Sequence, residues 1–217
     1  MRRLLVINPN TSGSVTQLLQ AHAQGAAGDG TQVRAVTAPF GAPYIADEAS
    51  YAVAGHAVLE AWSAARAQGE APDAVLIGCF GDPGLWALRE SSAVPVTGLA
   101  EGAMVEAARL GKFAIVTGGV KWRPMLLRLA QSLGFADALV DVLTVAPTGA
   151  QMAADPEGSR ALLAQACHEA ARLPGVKSVI LGGAGLAGIA RHIQPQVPVP
   201  VIDSVLAGTR HALRLPA

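Results

Sequence analysis

Two stretches of this chain read alike. Val75 to Leu85, V-L-I-G-C-F-G-D-P-G-L, and Val179 to Ile189, V-I-L-G-G-A-G-L-A-G-I, align so that Gly78 meets Gly182, Gly84 meets Gly188 and Cys79 meets Gly183. The match extends outward, with Pro95-Val96 against Pro200-Val201 and Leu4 to Ile7 before Asn8 against Phe113 to Val116 before Thr117. The repeat predicts two similar half-chains, each bringing a strand-end loop to a shared cleft, but only the first bringing a thiol. We place the halves at 1–98 and 99–203, with a closing helix in 204–217 packing back on the first half.

Between these landmarks short apolar runs alternate with longer helical segments. Strands are expected at 4–7, 33–37, 75–78, 94–97, 113–116, 139–145, 176–181 and 198–202, and helices fill the intervals. Continuous rather than alternating apolar runs mark strands covered on both faces, so the fold class is α/β with a mostly parallel sheet of about four strands in each half. In such sheets ligands gather at the carboxyl ends of the strands. That puts Asn8-Pro9-Asn10-Thr11-Ser12, the Cys79 loop, Thr117-Gly118-Gly119 and the Gly183 loop around one cleft, and the Gly/Pro segment from Pro39 to Tyr44 where it can cover it.

Cys79 is the residue with chemistry to offer. It stands where a buried strand should pass to a helix, with Pro83 suited to the first helical turn. Unpaired N–H groups at a helix start favour thiolate over thiol. Cys167 lies inside the helix expected from Pro156 and reads as a small buried apolar residue, and His56 among alanines reads as structural or exposed. The substrate shell expected from position is Asn8, Asn10, Thr11, Phe80, Gly81, Asp82, Thr117, Gly118 and Ala184. The N–H groups of Phe80 and Ala184 would face a carboxylate or a developing enolate oxygen.

Composition narrows the partners. Sixteen basic residues balance sixteen acidic ones, so nothing favours nucleic acid or an anionic membrane, and a small-molecule substrate fits better. The two cysteines sit in different halves without a C-x-x-C or metal-ligand spacing, and no G-x-x-x-x-G-K-[ST] occurs. Gly183 to Gly188 has G-x-G-x-x-G spacing, but no acidic residue follows before Asp203, so it reads as the degenerate copy of the Cys79 loop. We therefore expect no cofactor, no metal, a cytoplasmic location and a homo-oligomer; Met1-Arg2-Arg3 runs straight into a strand too short for a leader or a membrane span.

The motifs I-N-P-N-T-S at Ile7 to Ser12, G-C-F-G-D-P-G at Gly78 to Gly84 and L-G-G-A-G at Leu181 to Gly185 resemble the aspartate/glutamate/hydantoin racemase superfamily, nearest its hydantoin and allantoin racemase branch. The resemblance implies two flavodoxin-like three-layer halves related by a pseudo-twofold axis. It also implies cofactor-independent racemisation or epimerisation at the α-carbon of a hydantoin-like or amino-acid-like substrate, with one cysteine on each face. Cys79 matches the first of these, and Gly183 stands where the second belongs. A second acid would have to come from His192, Asp203, Lys121, a hydroxyl such as Thr117, or water. The alternatives are a single-cysteine decarboxylase or lyase of the arylmalonate decarboxylase type, and a non-catalytic small-molecule binding protein on the same scaffold.

Overall fold

The computed structural model describes residues 1–147, 151, 152 and 156–216. The expected alternation is present. In the first half β1 (Arg2–Asn8), β2 (Thr31–Thr37), β3 (Ala74–Ile77) and β4 (Val96–Gly98) form a parallel sheet in the order β2-β1-β3-β4. In the second, β5 (Phe113–Gly118), β6 (Leu139–Val145), β7 (Ser178–Gly182) and β8 (Val201–Asp203) form another in the order β6-β5-β7-β8. The helices are α1 (Gly13–Ala27), α2 (Glu48–Ala67), α3 (Leu85–Ser91), α4 (Leu99–Ala108), α5 (Trp122–Ser132), α6 (Pro156–Ala171), the single turn α7 (Ala190–Ile193) and α8 (Ser204–Arg214).

The strand registers repeat between the halves. Leu4 pairs with Ala74 and Val75 with Val96, just as Phe113 pairs with Ser178 and Val179 with Val201. The equivalences read from the repeat, including Cys79 with Gly183, are thus equivalences of position in the two sheets.

Burial follows each strand's place. Central β3 and β7 are buried at every residue, whereas edge strand β2 alternates buried and exposed positions at its start. Side chains of successive residues point to opposite faces. Leu5, Ile7, Val75 and Ile77 accordingly pack in one cluster with Val58, Trp62 and Leu88 of α2 and α3. Leu4, Val6 and Leu76 turn the other way, into a core continuous with Phe113, Ile115 and Ile180 of the second sheet. The remaining face of that sheet, Ala114, Val116, Val179 and Leu181, is covered by α6, where Cys167 is fully buried.

Two helices tie the halves together. α4, leaving the first sheet, packs against β7 and β8, while α8 at the end of the chain packs against α1, β3 and β4. They cross closely at glycines, since a Cβ on Gly102 would lie 2.6 Å from the Cα of Gly208. Residue 217, the last of the expected terminal segment, lies outside the described residues.

One local expectation is corrected. Cys79 does not sit at a helix start, and Pro83 is not in a first helical turn. α3 begins only at Leu85, preceded by a turn in which the Asp82 N–H donates to the Cys79 carbonyl (3.1 Å) and the Leu85 N–H to the Asp82 carbonyl (3.2 Å). Asp82 at φ 53° and Gly84 at φ 76° have left-handed backbones, which a right-handed helix cannot contain.

Candidate active site

The carboxyl ends of β1, β3, β5 and β7 converge on one cavity of about 400 Å³. Cys79 and Gly183 both line it, one from each half, together with Asn10, Thr117 and Gly118. Its walls are apolar: Leu18, Ile45, Phe80, Trp122, Met152 and Leu186. Among the described residues lining it none is charged.

Cys79 is 8 % exposed. Burial, and after it the carboxylate of Asp82, push its thiol well above the ordinary range, so the group rests as a neutral thiol. This corrects the expectation of a stabilised thiolate. With no helix starting beneath the sulfur, desolvation and a like charge dominate.

The opposing turn is held from two sides. The buried Thr117 hydroxyl donates to the Gly182 carbonyl (2.8 Å), and the Gly183 N–H donates to the Ser204 hydroxyl (3.2 Å). Gly183 has φ 144°, and a Cβ there would meet Leu186 Cγ at 3.3 Å. Phe80 reaches across from the Cys79 loop and packs on Gly182.

Several expected shell residues lie elsewhere. Asn8 is fully buried and its amide is spent on Asn10, the Ser12 carbonyl and Thr16, so it shapes the turn that presents Asn10. Thr11 is exposed and outside the lining, its N–H donating to the Ala42 carbonyl. Gly81 and Asp82 are buried behind the loop: a Cβ on Gly81 would strike Trp122, and the carboxylate of Asp82 is engaged by α4. Ala184 does line the cavity, as Asn10, Phe80, Thr117 and Gly118 do.

The candidate second acids separate as sharply. His192 is exposed and accepts from Arg191 at 3.1 Å: the helix that carries it is the single turn α7, and even so its side chain faces solvent. Asp203 is consumed by the N–H groups of Gly188, Val205 and Leu206. Lys121 pairs with Asp47 on the surface, and His56 pairs with Glu60. Only Thr117 of that set reaches the cavity, where the hydroxyl-bearing Ser12, Ser14 and Tyr44 also stand. Tyr44 arrives on the loop expected to cover the cleft. Trp122, Met152, Ile45 and Leu186 were not foreseen; the one local signal was Trp122, three residues after the Gly118-Gly119 turn. Among the described residues no three His, Cys, Asp or Glu side chains cluster as a metal site would require.

Comparison with known proteins shows the family. The family model for Asp/Glu/hydantoin racemase matches residues 4–212. The hydantoin racemase of Paenarthrobacter aurescens is 35% identical over 99% of this chain and 91% of its own length. The allantoin racemase of Klebsiella pneumoniae superimposes with a TM-score of 0.89 at 34% identity, covering 98% of this chain and 86% of that one. For the allantoin racemase of Pseudomonas fluorescens the TM-score is 0.92 at 27% identity, with coverage of 97% and 89%. The two parallel four-stranded sheets with their covering helices have the fold of the two-domain flavodoxin-like racemases. The chain belongs to the Asp/Glu/hydantoin racemase family. It is an isomerase.

Proposed function

We propose that this chain is a cofactor-independent racemase acting at the ring α-carbon of a hydantoin carrying an apolar substituent, with Cys79 as the proton-transfer group on one face. The observation that carries this reading is the strand-end thiol in a cavity whose described lining has no charged side chain. A free amino acid would bring an ammonium and a carboxylate into that cavity with no partner of opposite charge among its described lining residues, at a cost of several kcal/mol. A hydantoin ring is neutral. Its substituent would lie against Leu18, Ile45, Trp122, Met152 and Leu186. The hydantoin and allantoin racemases among the relatives are in keeping with this ring.

In this reading, removal of the α-proton leaves an enolate whose negative oxygen needs donors in place before it forms. Asn10 Oδ1 already accepts from Asn8 and from the Ser12 N–H, so what Asn10 offers a ligand is its NH₂ group. The Thr117 hydroxyl donates to Gly182 and keeps its lone pairs for a ring N–H. The N–H groups of Phe80 and Ala184 complete the oxyanion shell. Cys79, resting as thiol, delivers a proton to the enolate from its own face; as thiolate it takes the proton from the enantiomer presenting C–H to that face. The opposite face, beside Gly183, is served by a lining hydroxyl or by water.

Incubating apolar 5-substituted hydantoins, allantoin, free amino acids and arylmalonates in D₂O tests this, with the α-hydrogen followed by NMR and handedness by optical rotation. A Cys79→Ser variant corrects for spontaneous exchange. Apolar hydantoins are expected to exchange and racemise, with about 10²- to 10⁴-fold loss in the variant. Decarboxylation of the malonates with hydantoins untouched would establish the one-thiol lyase reading instead, and no turnover of any of them the binding-protein one.

A further inference from the structure

Asp82 is 1 % exposed and stands outside the lining of the Cys79 cavity, yet its carboxylate is closely held. One carboxylate oxygen accepts from the Ala100 N–H (2.9 Å) and the other from the Glu101 N–H (2.8 Å), at the start of α4. Gly98 has no side chain because the carboxyl group occupies its place: a Cβ there would lie 2.1 Å from Asp82 Cγ. Among the described residues it is the one non-glycine with positive φ. Its N–H closes the turn onto the Cys79 carbonyl.

Neither the backbone nor the cap calls for a charge. Asparagine tolerates the left-handed region as well, and a neutral oxygen caps a helix. A carboxylate here is buried beside a thiol and close to Glu101, where charge is costly.

We propose that Asp82 is a positioning residue for Cys79: locked under α4, it fixes the strand-end turn, and its charge state sets how readily the thiol gives up its proton. Burial, opposed by the Ala100 and Glu101 N–H groups and assisted by Glu101, lifts its carboxyl to about 7. Asp82 therefore titrates near neutral pH, and protonating it removes the second of the two causes that hold the Cys79 proton in place. The other groups facing it are few. Glu101 of α4 is paired with Arg89 of α3 and takes the Thr97 hydroxyl. Tyr51 of α2 donates to the Gly81 carbonyl and is itself pushed up by burial and by Asp82. His211 of α8, beside Gly102, feels Glu101 and is pushed down by burial.

The test is the rate of Cys79 alkylation by iodoacetamide from about pH 5.5 to about pH 9, read by mass spectrometry of the Cys79 peptide. Only thiolate reacts, so for an isolated thiol the logarithm of the rate rises linearly with pH. In the wild type it should rise, flatten near pH 7 as Asp82 ionises, and rise again. Asp82→Asn should give a straight line, equal to the wild type at the acid end and on the order of tenfold faster at the alkaline end. A straight line in the wild type would overturn the proposal, whatever the variant does. So would a variant faster by one constant factor at every pH, which is what a merely loosened turn produces. No substrate is involved, so failure here leaves the hydantoin reading standing, and failure of that reading leaves this one standing.

Discussion

The ring of Phe80, from the first half, fills the space that a side chain on Gly182, in the second, would take: a Cβ at Gly182 would lie 2.2 Å from Phe80 Cε1. Phe80 is 3 % exposed, so the ring has little room to retreat. Gly182→Ala should therefore overpack the joint between the two strand-end turns, lowering stability by about 1–3 kcal/mol and displacing the loop that carries Cys79. Urea unfolding and the D₂O exchange assay together check this. A variant as stable and as active as the wild type would show that the contact is not limiting.

Thr117 should prove structural before it proves chemical. Its hydroxyl is buried and satisfies the Gly182 carbonyl. Thr117→Val keeps the shape and leaves that oxygen without its donor, a loss of about 1–3 kcal/mol, whereas Thr117→Ser should retain most of the stability. Equal unfolding midpoints for Val and Ser would contradict the assignment.

The two thiols make stability pH-dependent on the alkaline side. Burial pushes Cys167 up to about 12, and Cys79 is raised further still. In the unfolded chain both ionise near pH 8.5. Between that value and their folded pKa values the folded state holds protons that the unfolded state has released, so stability falls as pH rises; below about 8.5 the contribution is complete. The unfolding free energy from urea titrations should decline from about pH 8 to about pH 10, by up to about 1.4 kcal/mol per unit for each thiol. Cys167→Ala should show roughly half that slope. A midpoint that holds steady, or rises, would mean that the thiols are solvated in the folded protein.

Placing a thiol at Gly183 should change the stereochemistry more than the exchange. With Gly183, deuterium uptake through Cys79 is expected to outrun inversion, because one face lacks a matched acid. Gly183→Cys supplies one at the equivalent position of the second sheet. It does so at φ 144° and in contact with Leu186, a strain of about 1–3 kcal/mol. The expected result is a lower unfolding midpoint together with a higher ratio of inversion to exchange. Inversion already as fast as exchange with Gly183 would show that a lining hydroxyl or water matches a thiol.

Much of the architecture was legible because it is written locally. Runs such as Leu4 to Ile7 and Ala74 to Ile77 declare buried strands by their composition, and the Asn/Thr/Ser cluster after Asn8 declares a capped helix, which Ser12 duly begins by accepting from the Val15 N–H. The repeat added the long-range step. Two stretches that fold alike take the same place in their sheets, so the repeat alone matches Cys79 with Gly183.

What the sequence by itself determined was therefore the class of fold, the strand-end loops that meet, and the single thiol among them. Tertiary structure alone decided what that thiol can do. Ionisation depends on how much water and charge surround the sulfur, and those are set by Asp82 tucked under the first turn of α4 and by walls drawn from α1, α5 and the loop before α2. The same holds for the candidate acids: His192 and Asp203 are near the Gly183 loop in the chain, but one faces solvent and the other caps α8. Residue spacing does not fix which of them reaches the cavity, because its walls are drawn from segments far apart in the chain.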